Sequence, residues 1–440
     1  MTSIGGRPGS RRVVAALACL LAITSCANAS PSKAKPTRGL ASPTKAAPPL
    51  AQSTPATASP SAVPKTKPKI KPLPKITPAL GWRRAERTGR LTATSLVDVA
   101  ATGAGTAWAA GYHTDAEDEP ANAVLLRVDG SRWRVADQVS KRLPDATDSF
   151  ITGIDADGPA HAWAVGNGHA GLGTLPFAMR WDGRDWHMSR PLGPGEDQRL
   201  DDVAVDGRRA ALVGNRGRWA DDPGLHSPFL LTWNGRRFSE QTFGRGEVFT
   251  AVATGRDHTW IAGGRTSGGC ADSRPAVWHA SAPGAAPAPA SLPDVGTGML
   301  TAIWQNGPRD VWVTGTRGGP GLCDPVEGSG TPLMLHWDGT SWTEIALPGR
   351  VQRLHDMTSP GSGEVWLAAT DDQAPLGRLL LLRFDGRRWA AEYLRLGGAA
   401  SAGWNVYALA ASPGGLILAG SADCCDQQRA VVFSRPLPRF

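Results

Sequence analysis

Residues 331–342 read TPLMLHWDGTSW, an apolar run that leads into an Asp-Gly pair between two tryptophans. Near-copies recur along the chain as LLRVDGSRW (125–133), FAMRWDGRDW (177–186), LLTWNGRRF (230–238) and LLLRFDGRRW (380–389). Asp-Gly and Asn-Gly pairs favour tight hairpins, because these residue types tolerate positive φ where others are strained. The stretch therefore predicts the turn of a structural repeat, whose flanking aromatic side chains pack between neighbouring units.

A second segment, typified by DVWVTGT (310–316), recurs in one register through the chain. The first position of its core is occupied by Trp108, Trp163, Ala211, Trp260, Trp312, Trp366 and Ile417. Successive spacings are 55, 48, 49, 52, 54 and 51 residues. An array with a period near 50 and short apolar runs indicates propeller blades. Each copy resolves into four strands, the third ending before the Asp-Gly pair and the fourth beginning at the second aromatic residue.

The seventh copy lacks a fourth strand, whereas GWRRAERTG (81–89) precedes the first copy. Within it, Trp82 to Glu86 matches Trp133 to Asp137, which is a fourth strand of the repeat. We therefore predict an all-β fold, a seven-bladed β-propeller over residues 81–440 that is closed by its N-terminal strand. Closure removes exposed sheet edges. The fourth copy is the most degenerate, since SAPGAAPAPA (281–290) has neither an Asp-Gly pair nor a second tryptophan.

The chain opens with arginines, a short apolar stretch, VVAALACLLAI (13–23), and small residues directly before Cys26. This order is typical of an export signal. It resembles the lipobox of bacterial lipoproteins, which implies that the Cys26 thiol is diacylated and becomes the mature N-terminus. The alternative is an ordinary secretory signal in which Cys26 is incidental. We expect a lipoprotein signal peptide over 1–25 and a lipid-anchored protein at the extracytoplasmic face of the cell membrane.

Residues 26–80 predict a disordered tether, because Ala, Pro, Ser, Thr and Lys dominate them and they lack the apolar content of a core. The chain has 47 basic and 39 acidic residues, and 12 of the basic residues precede position 81. Residues 81–440 thus carry 35 basic against 39 acidic side chains, which argues against nucleic-acid binding by the folded part. The basic tether could lie along anionic lipids or wall polymers, or serve as a soluble spacer.

The pairing of DVWVTG (310–315) with HWDGTSW (336–342) resembles the tandem repeats of secreted bacterial propellers, grouped loosely with galactose oxidase and kelch-type propellers. The resemblance covers about 81–440 and implies a seven-bladed fold without implying a reaction. A kelch repeat has a Gly-Gly pair in every blade, and here only Gly263-Gly264 stands at that place. The Asp-box of sialidases needs a residue between Asp and Gly, which these copies lack. Similar W-D-G-x-x-W sequences occur in some propeller lectins, which keeps sugar binding open.

The cysteines of the folded part fall in the predicted loops between second and third strands. They are Cys270, Cys323, Cys424 and Cys425. An even number in an exported domain predicts disulfides. Adjacent blades favour a Cys270–Cys323 bond, which leaves Cys424 and Cys425 as a strained vicinal pair. Free thiols, pairing between the two sets and a copper or zinc site are the alternatives.

The same face gathers carboxylates in loops that do not repeat. They are Asp115, Glu117, Asp118, Glu119, Asp371, Asp372, Asp423 and Asp426. Such a cluster could meet a ligand or hold calcium, although no D-x-D-x-D spacing is present and a solvated acidic loop is the plainer interpretation. No other cofactor is indicated.

No G-x-S-x-G, H-E-x-x-H or phosphate-binding glycine loop occurs in the chain, so no catalytic residue is assigned. We expect a monomeric, membrane-anchored binding module whose ligand is a protein partner or a cell-wall glycan. The alternative is an extracytoplasmic carbohydrate-active enzyme with a site of convergent carboxylates in the axial funnel, whereas a shallow funnel lined by Trp304 and small residues would favour binding. Propeller enzymes assemble catalytic groups from several blades, so missing motifs do not exclude this alternative.

Overall fold

A computed structural model describes most of the chain from residue 72 onward. The described residues are 72, 74–87, 94–103, 105–114, 121–171, 173–193, 198–217, 226–266, 272–282, 284–318, 330–361, 363–371, 373–374, 378–395, 404–412, 414–424 and 427–437. The side chains of 86–87, 140, 404–407, 422–424 and 427–428 are not described. The predicted signal peptide and most of the predicted tether lie outside these ranges.

Within the described ranges the chain is almost entirely β-structure, with one turn of 3₁₀ helix at Val139–Arg142. The strands in chain order are β1 (Ile76–Pro78), β2 (Arg83–Arg84), β3 (Glu86–Arg87), β4 (Thr94–Gly103), β5 (Thr106–His113), β6 (Asn122–Asp129), β7 (Arg132–Gln138), β8 (Asp148–Ala156), β9 (Ala162–Ala170), β10 (Gly173–Trp181), β11 (Trp186–Ser189), β12 (Gln198–Asp206), β13 (Arg209–Arg216), β14 (Ser227–Trp233), β15 (Phe238–Thr242), β16 (Glu247–Thr254), β17 (Thr259–Arg265), β18 (Arg274–Ala280), β19 (Ala288–Pro289), β20 (Gly298–Gly307), β21 (Asp310–Arg317), β22 (Thr331–Trp337), β23 (Trp342–Glu344), β24 (Val351–Thr358), β25 (Val365–Asp371), β26 (Arg378–Phe384), β27 (Trp389–Arg395), β28 (Trp404–Ser412), β29 (Gly415–Cys424) and β30 (Gln427–Pro436).

These strands form seven sheets in the described part of the chain, which confirms the predicted seven-bladed propeller. Blades one to six take β4–β7, β8–β11, β12–β15, β16–β19, β20–β23 and β24–β27, and blade seven takes β28–β30 with β2. The first strand of each blade contacts the first strand of the next, and β28 contacts β4. The first strands therefore surround the axis, and the ring is closed.

Every first strand carries a one-residue bulge at the same level of the ring. The bulged residues are Val97, Thr152, Asp201, Thr250, Thr301, His355 and Tyr407. The bulge brings a first-strand carbonyl very close to the second strand, and this explains the glycine in segments such as DVWVTGT. A Cβ on Gly315 would lie 2.1 Å from the carbonyl oxygen of Met299. No larger residue fits there unless the backbone moves.

The N-terminal segment closes the ring as predicted, because β2 adds to the outer edge of β30 in blade seven. The segment also pairs with two further blades, which the sequence did not indicate. Strand β1 pairs in parallel with β27 of blade six, and β3 pairs in parallel with β7 of blade one. We call residues 74–87 the strap, since they cross the outer edges of three consecutive blades. The folded domain therefore begins at or before Ile76 rather than at residue 81.

The aromatic residues of the hairpins pack against the second-strand tryptophan of the preceding blade. Trp108 of blade one meets Trp186 of blade two at 4.9 Å between ring centroids, and Trp260 of blade four meets Trp342 of blade five at 5.8 Å. All four rings are buried. The predicted packing role of the motif is confirmed. At the last joint, Trp82 of the strap packs into the cluster around Trp366 and takes the place of the missing hairpin tryptophan.

Buried aspartates join the first strands of neighbouring blades. Asp98 accepts hydrogen bonds from the backbone N–H of Val99 in its own strand and of Ile154 in blade two, both at 2.8 Å. Asp202 in blade three and Asp356 in blade six repeat this bridge to the next blade. Each carboxylate replaces hydrogen bonds that the bulged backbone would otherwise leave unmade.

Blade four departs from the pattern, as its degenerate sequence predicted. Its fourth strand, β19, has only two residues, and the chain then arches away from the edge of β18. The arch is fixed at both ends, where Ala290 N–H donates to the Val277 carbonyl and Gly298 N–H donates to the Ser273 carbonyl, each at 2.8 Å. The outer edge of β18 between these two bonds is therefore covered by an arch instead of a strand.

Candidate functional site

Most of the residues that the sequence proposes as a site lie outside the described ranges. These are Cys26, Asp115, Glu117, Asp118, Glu119, Cys270, Cys323, Asp372, Cys425 and Asp426. Asp423 and Cys424 end strand β29, but their side chains are not described. The disulfide, calcium and lipidation expectations therefore stay predictions. Asp371 is the proposed site residue whose side chain can be placed.

Asp371 is buried at the end of β25 and both of its carboxylate oxygens are engaged. Arg350 Nη2 and the Tyr393 hydroxyl donate to Oδ2 at 2.8 and 2.6 Å, while Arg350 Nε and the Gln373 N–H donate to Oδ1 at 3.2 and 2.9 Å. Burial and this carboxylate raise the pKa of Tyr393 to about 12. Asp371 thus serves as the centre of a structural ion-pair network.

The network is anchored on a strained residue. Arg350, on the connection between blades five and six, has a φ of 84° and is the one non-glycine residue with positive φ in the described ranges. Such a conformation costs about 1–3 kcal/mol and persists where neighbouring contacts hold it. The two-point pairing with Asp371 supplies those contacts. Because Tyr393 lies opposite Pro78 in the pairing of β27 with the strap, the network also reaches the closing segment.

A second charged cluster lies in blade three beside the axis. Asp201 accepts from Arg199 Nε at 3.0 Å and from Asn215 Nδ2 at 2.6 Å. Asn215 also bonds the backbone of Phe249 in blade four, through both its amide oxygen and its amide nitrogen. Burial raises the pKa of Asp201, and Arg199 opposes that shift. The arrangement holds a carboxylate at the ring interior and ties it to the next blade.

His355 occupies the equivalent bulge of blade six. Loss of hydration and the nearby Arg353 lower the pKa of His355 to about 4, and its Nε2 lies 2.7 Å from Thr370 Oγ1. The imidazole is therefore neutral at ordinary pH. The signal in the sequence is the second position of LDDV (200–203) and LHDM (354–357), where the other first strands carry Val, Thr or, in blade seven, Tyr407. Trp304, expected near the funnel, is instead buried in the cluster between blades five and six.

A pocket of about 350 Å³ lies under the arch of blade four. Apolar side chains, including Leu292 and Val295, form much of its wall. An ion pair between Arg274 Nη1 and Asp294 Oδ1, 2.9 Å apart and well exposed, joins β18 to the arch. The degenerate repeat thus accounts for the pocket, because a full fourth strand would fill the same space.

The Asp-Gly turns join third to fourth strands, on the face of the ring opposite the loops between second and third strands. They have a local structural role. Asp338 accepts hydrogen bonds from the backbone N–H groups of Thr340 and Ser341, both at 2.8 Å, and from the Thr340 hydroxyl. These bonds lower the pKa of Asp338 to about 2. Asp385 makes the same backbone contacts in blade six. The turn residues therefore stabilise their own hairpins.

In the described ranges, no group of three or more His, Cys, Asp or Glu side chains is arranged to hold a metal ion. The same residues include no helix that is long and apolar enough to span a bilayer.

No family model matches the chain, and no curated protein matches it in sequence. Solved structures with a similar fold include YCF48 bound to a D1 peptide, with a TM-score of 0.49, 16% identity, and coverage of 84% of this chain and 100% of that one. The β-propeller domain of the Trilobed protease from Pyrococcus furiosus matches with a TM-score of 0.48 and 9% identity, over 80% of this chain and 97% of that one. A Trypanosoma rangeli sialidase in complex with sialic acid matches with a TM-score of 0.42 and 11% identity, and the match spans 82% of this chain but 59% of the sialidase. At these identities the likeness concerns the fold alone. The resemblance to kelch and galactose oxidase propellers stays a prediction.

Proposed function

We propose that the protein is a membrane-anchored, extracytoplasmic binding module whose propeller presents a face to a protein partner. The observation that carries the proposal is the burial of the repeated aromatic side chains between blades. Trp186 and Trp342 are 4% and 7% exposed. Rings in that position hold the scaffold together, and Trp186 and Trp342 are not available to stack on sugars. The repeat is therefore scaffold, and recognition falls to segments that do not repeat.

The non-repeating segments lie between second and third strands, on one face of the ring. They hold the acidic stretch 115–119 and all four cysteines of the folded part. Exposed loops on a rigid scaffold commonly carry recognition, because they vary without disturbing the core. A cluster of carboxylates suits a basic or hydrogen-bond-donating protein segment. The two charged networks of blades three and six are satisfied by the protein's own donors, which favours a supporting role for them.

Binding can be tested by pull-down from a solubilised cell envelope with residues 27–440 as bait. In the test variant, Asp115, Glu117, Asp118 and Glu119 become Asn or Gln. In the matched control, Arg236 and Arg237 on the opposite face become Gln. We expect the loop variant to lose a partner that the control retains, with equal melting temperatures. Retention by the loop variant, or capture of glycans alone on an array, would contradict a protein partner on this face.

Anchoring is tested separately. Cys26→Ala should release the protein into the medium, and mass spectrometry of the wild-type N-terminal peptide should show an acylated Cys26. Membrane association of Cys26→Ala through an uncleaved signal would be recognised by its larger mass. A processed Cys26→Ala protein that stays on the membrane would contradict the lipoprotein assignment.

A further inference from the structure

The strap has a sequence period of three. Its inward residues are Ile76, Ala79, Trp82 and Ala85, and each packs into a seam between blades. Ile76 enters the cluster of blades five and six, Ala79 and Trp82 enter that of six and seven, and Ala85 enters that of seven and one. A spacing of three is the period of an extended polyproline-like chain. The apolar residues needed for docking the strap are thus accounted for.

Leu80 is not one of the inward residues that dock the strap. It is 75% exposed and is the one large hydrophobic side chain that stands exposed in the described ranges. Lys75, Arg83 and Arg84 are also exposed on the strap. The sequence contains no acidic residue before Glu86, although the folded part as a whole is slightly acidic. The exposed part of the strap is therefore a local basic strip with one large apolar side chain between its basic residues.

We propose that this strip, Lys75, Leu80 and Arg83, rests on an anionic lipid bilayer and sets the propeller on its edge. The inference rests on the membrane placement proposed above. Anionic headgroups attract basic side chains near a membrane surface, and an apolar side chain among them enters the interface. The chain enters the propeller at this point after a segment rich in lysine, so the lipid-linked end approaches the disc here. Blades six, seven and one then face the bilayer.

Edge-on placement has a consequence for the binding face. The loops between second and third strands and the Asp-Gly turns lie at opposite ends of the propeller axis, so both point along the membrane. The arginines of the turns, such as Arg236 and Arg237 in blade three, lie far around the ring from the strap. They provide a matched control, since both pairs of basic residues are exposed and only one pair belongs to the strip.

The test is co-sedimentation of residues 27–440 with vesicles. This chain keeps the strap and hence the closed ring, and it lacks both the signal stretch and Cys26, so the result does not depend on lipidation. Vesicles of phosphatidylglycerol with phosphatidylcholine are compared with phosphatidylcholine alone. Lys75→Glu/Arg83→Glu and Leu80→Ser are compared with Arg236→Glu/Arg237→Glu, after melting curves establish that all are folded.

We expect binding to the anionic vesicles, which salt weakens, and little binding to phosphatidylcholine. Each basic residue near the surface contributes about fivefold in affinity, so the strap double variant should bind roughly 30-fold more weakly or worse. Leu80→Ser should weaken binding several-fold, and the blade-three control should bind within about twofold of the unmodified chain. Equal losses in both double variants would overturn edge-on placement. Binding to isolated anionic wall polymers without binding to vesicles would overturn the lipid assignment, whatever the state of Cys26.

Discussion

Trp260 and Trp342 meet edge-to-face across the joint between blades four and five, with ring centroids 5.8 Å apart and planes inclined by 82°. Trp260 comes from the second strand of one blade and Trp342 from the fourth strand of the next. The stretch TPLMLHWDGTSW is thus half of a joint, whose other half lies about 80 residues earlier. Its repetition reflects the repeated need to seal one blade against another.

Truncation of Trp342 should therefore loosen a joint between blades. Trp342→Ala removes a buried ring and leaves a cavity against Trp260, so we expect a loss of about 3–5 kcal/mol in the free energy of unfolding. Trp342→Phe should lose less, since an edge-to-face contact remains possible. A double-mutant cycle with Trp260→Ala should give a coupling of about 0.5–1.5 kcal/mol. Strict additivity of the two truncations, measured by denaturant unfolding, would contradict direct packing.

The same joint shows what the sequence could and could not predict. The period, the blade count and the closing strand follow from patterns that lie within one copy or recur between copies. At the joint of blades three and four, Ala211 replaces the tryptophan and blade four lacks its hairpin aromatics. These two departures are halves of one missing contact. They look unrelated in the sequence, because the partners belong to different copies.

The buried aspartates were missed for a similar reason. Asp98, Asp202 and Asp356 look like outward polar positions of alternating strands, yet each binds backbone N–H groups of two blades. The bulge that requires them is a three-dimensional feature, and its mark in the sequence is a glycine on the neighbouring second strand rather than a residue of the first strand. The parallel strands of the strap were also missed, since β1 and β3 have three and two residues and lie in or beside a stretch of low apolar content.

Removal of the Asp98 carboxylate should destabilise the joint between blades one and two. Asp98→Ala leaves the N–H groups of Val99 and Ile154 without their acceptor in a dry interior, which costs about 1–3 kcal/mol for each group. Asp338→Ala, in an exposed turn, should cost much less, because water can reach the freed N–H groups. Thermal unfolding compares the two variants. Equal small losses would show that water replaces the Asp98 carboxylate.

Gly315 tests the close approach at the bulge. Gly315→Ala places a Cβ against the Met299 carbonyl, so the first strand must shift, and we expect a loss of more than about 2 kcal/mol. Gly193 has no neighbouring atom within 4 Å of a built Cβ. Gly193→Ala should therefore be neutral or slightly stabilising. A melting temperature that is unchanged in Gly315→Ala would indicate that the bulge relaxes at little cost.

The strap makes its contribution through its inward residues. Trp82→Ala should remove the contact with the cluster around Trp366 and destabilise the closure of blade seven by about 2–4 kcal/mol. Leu80→Ala, two residues away on the outward side, should change stability by less than about 0.5 kcal/mol. Deletion of 81–89 should abolish a cooperative melt. Hydrogen exchange in β30 would show whether the edge of blade seven opens first in Trp82→Ala.

Two histidines should give opposite pH dependence. His355 has its pKa lowered from 6.5 to about 4, so the unfolded chain binds a proton between these values that the folded chain does not. Stability should therefore fall as the pH drops from 6.5 toward 4, by up to about 3 kcal/mol. His355→Gln should flatten the pH profile over that interval.

His169 has its pKa raised by Asp148, so the stability it adds is present below pH 6.5 and is lost as the pH rises through the higher folded value. His169→Gln should consequently lose more stability at acid pH than at neutral pH. Denaturant unfolding at a series of pH values separates the two, and a parallel response of both variants would contradict the assigned pKa directions.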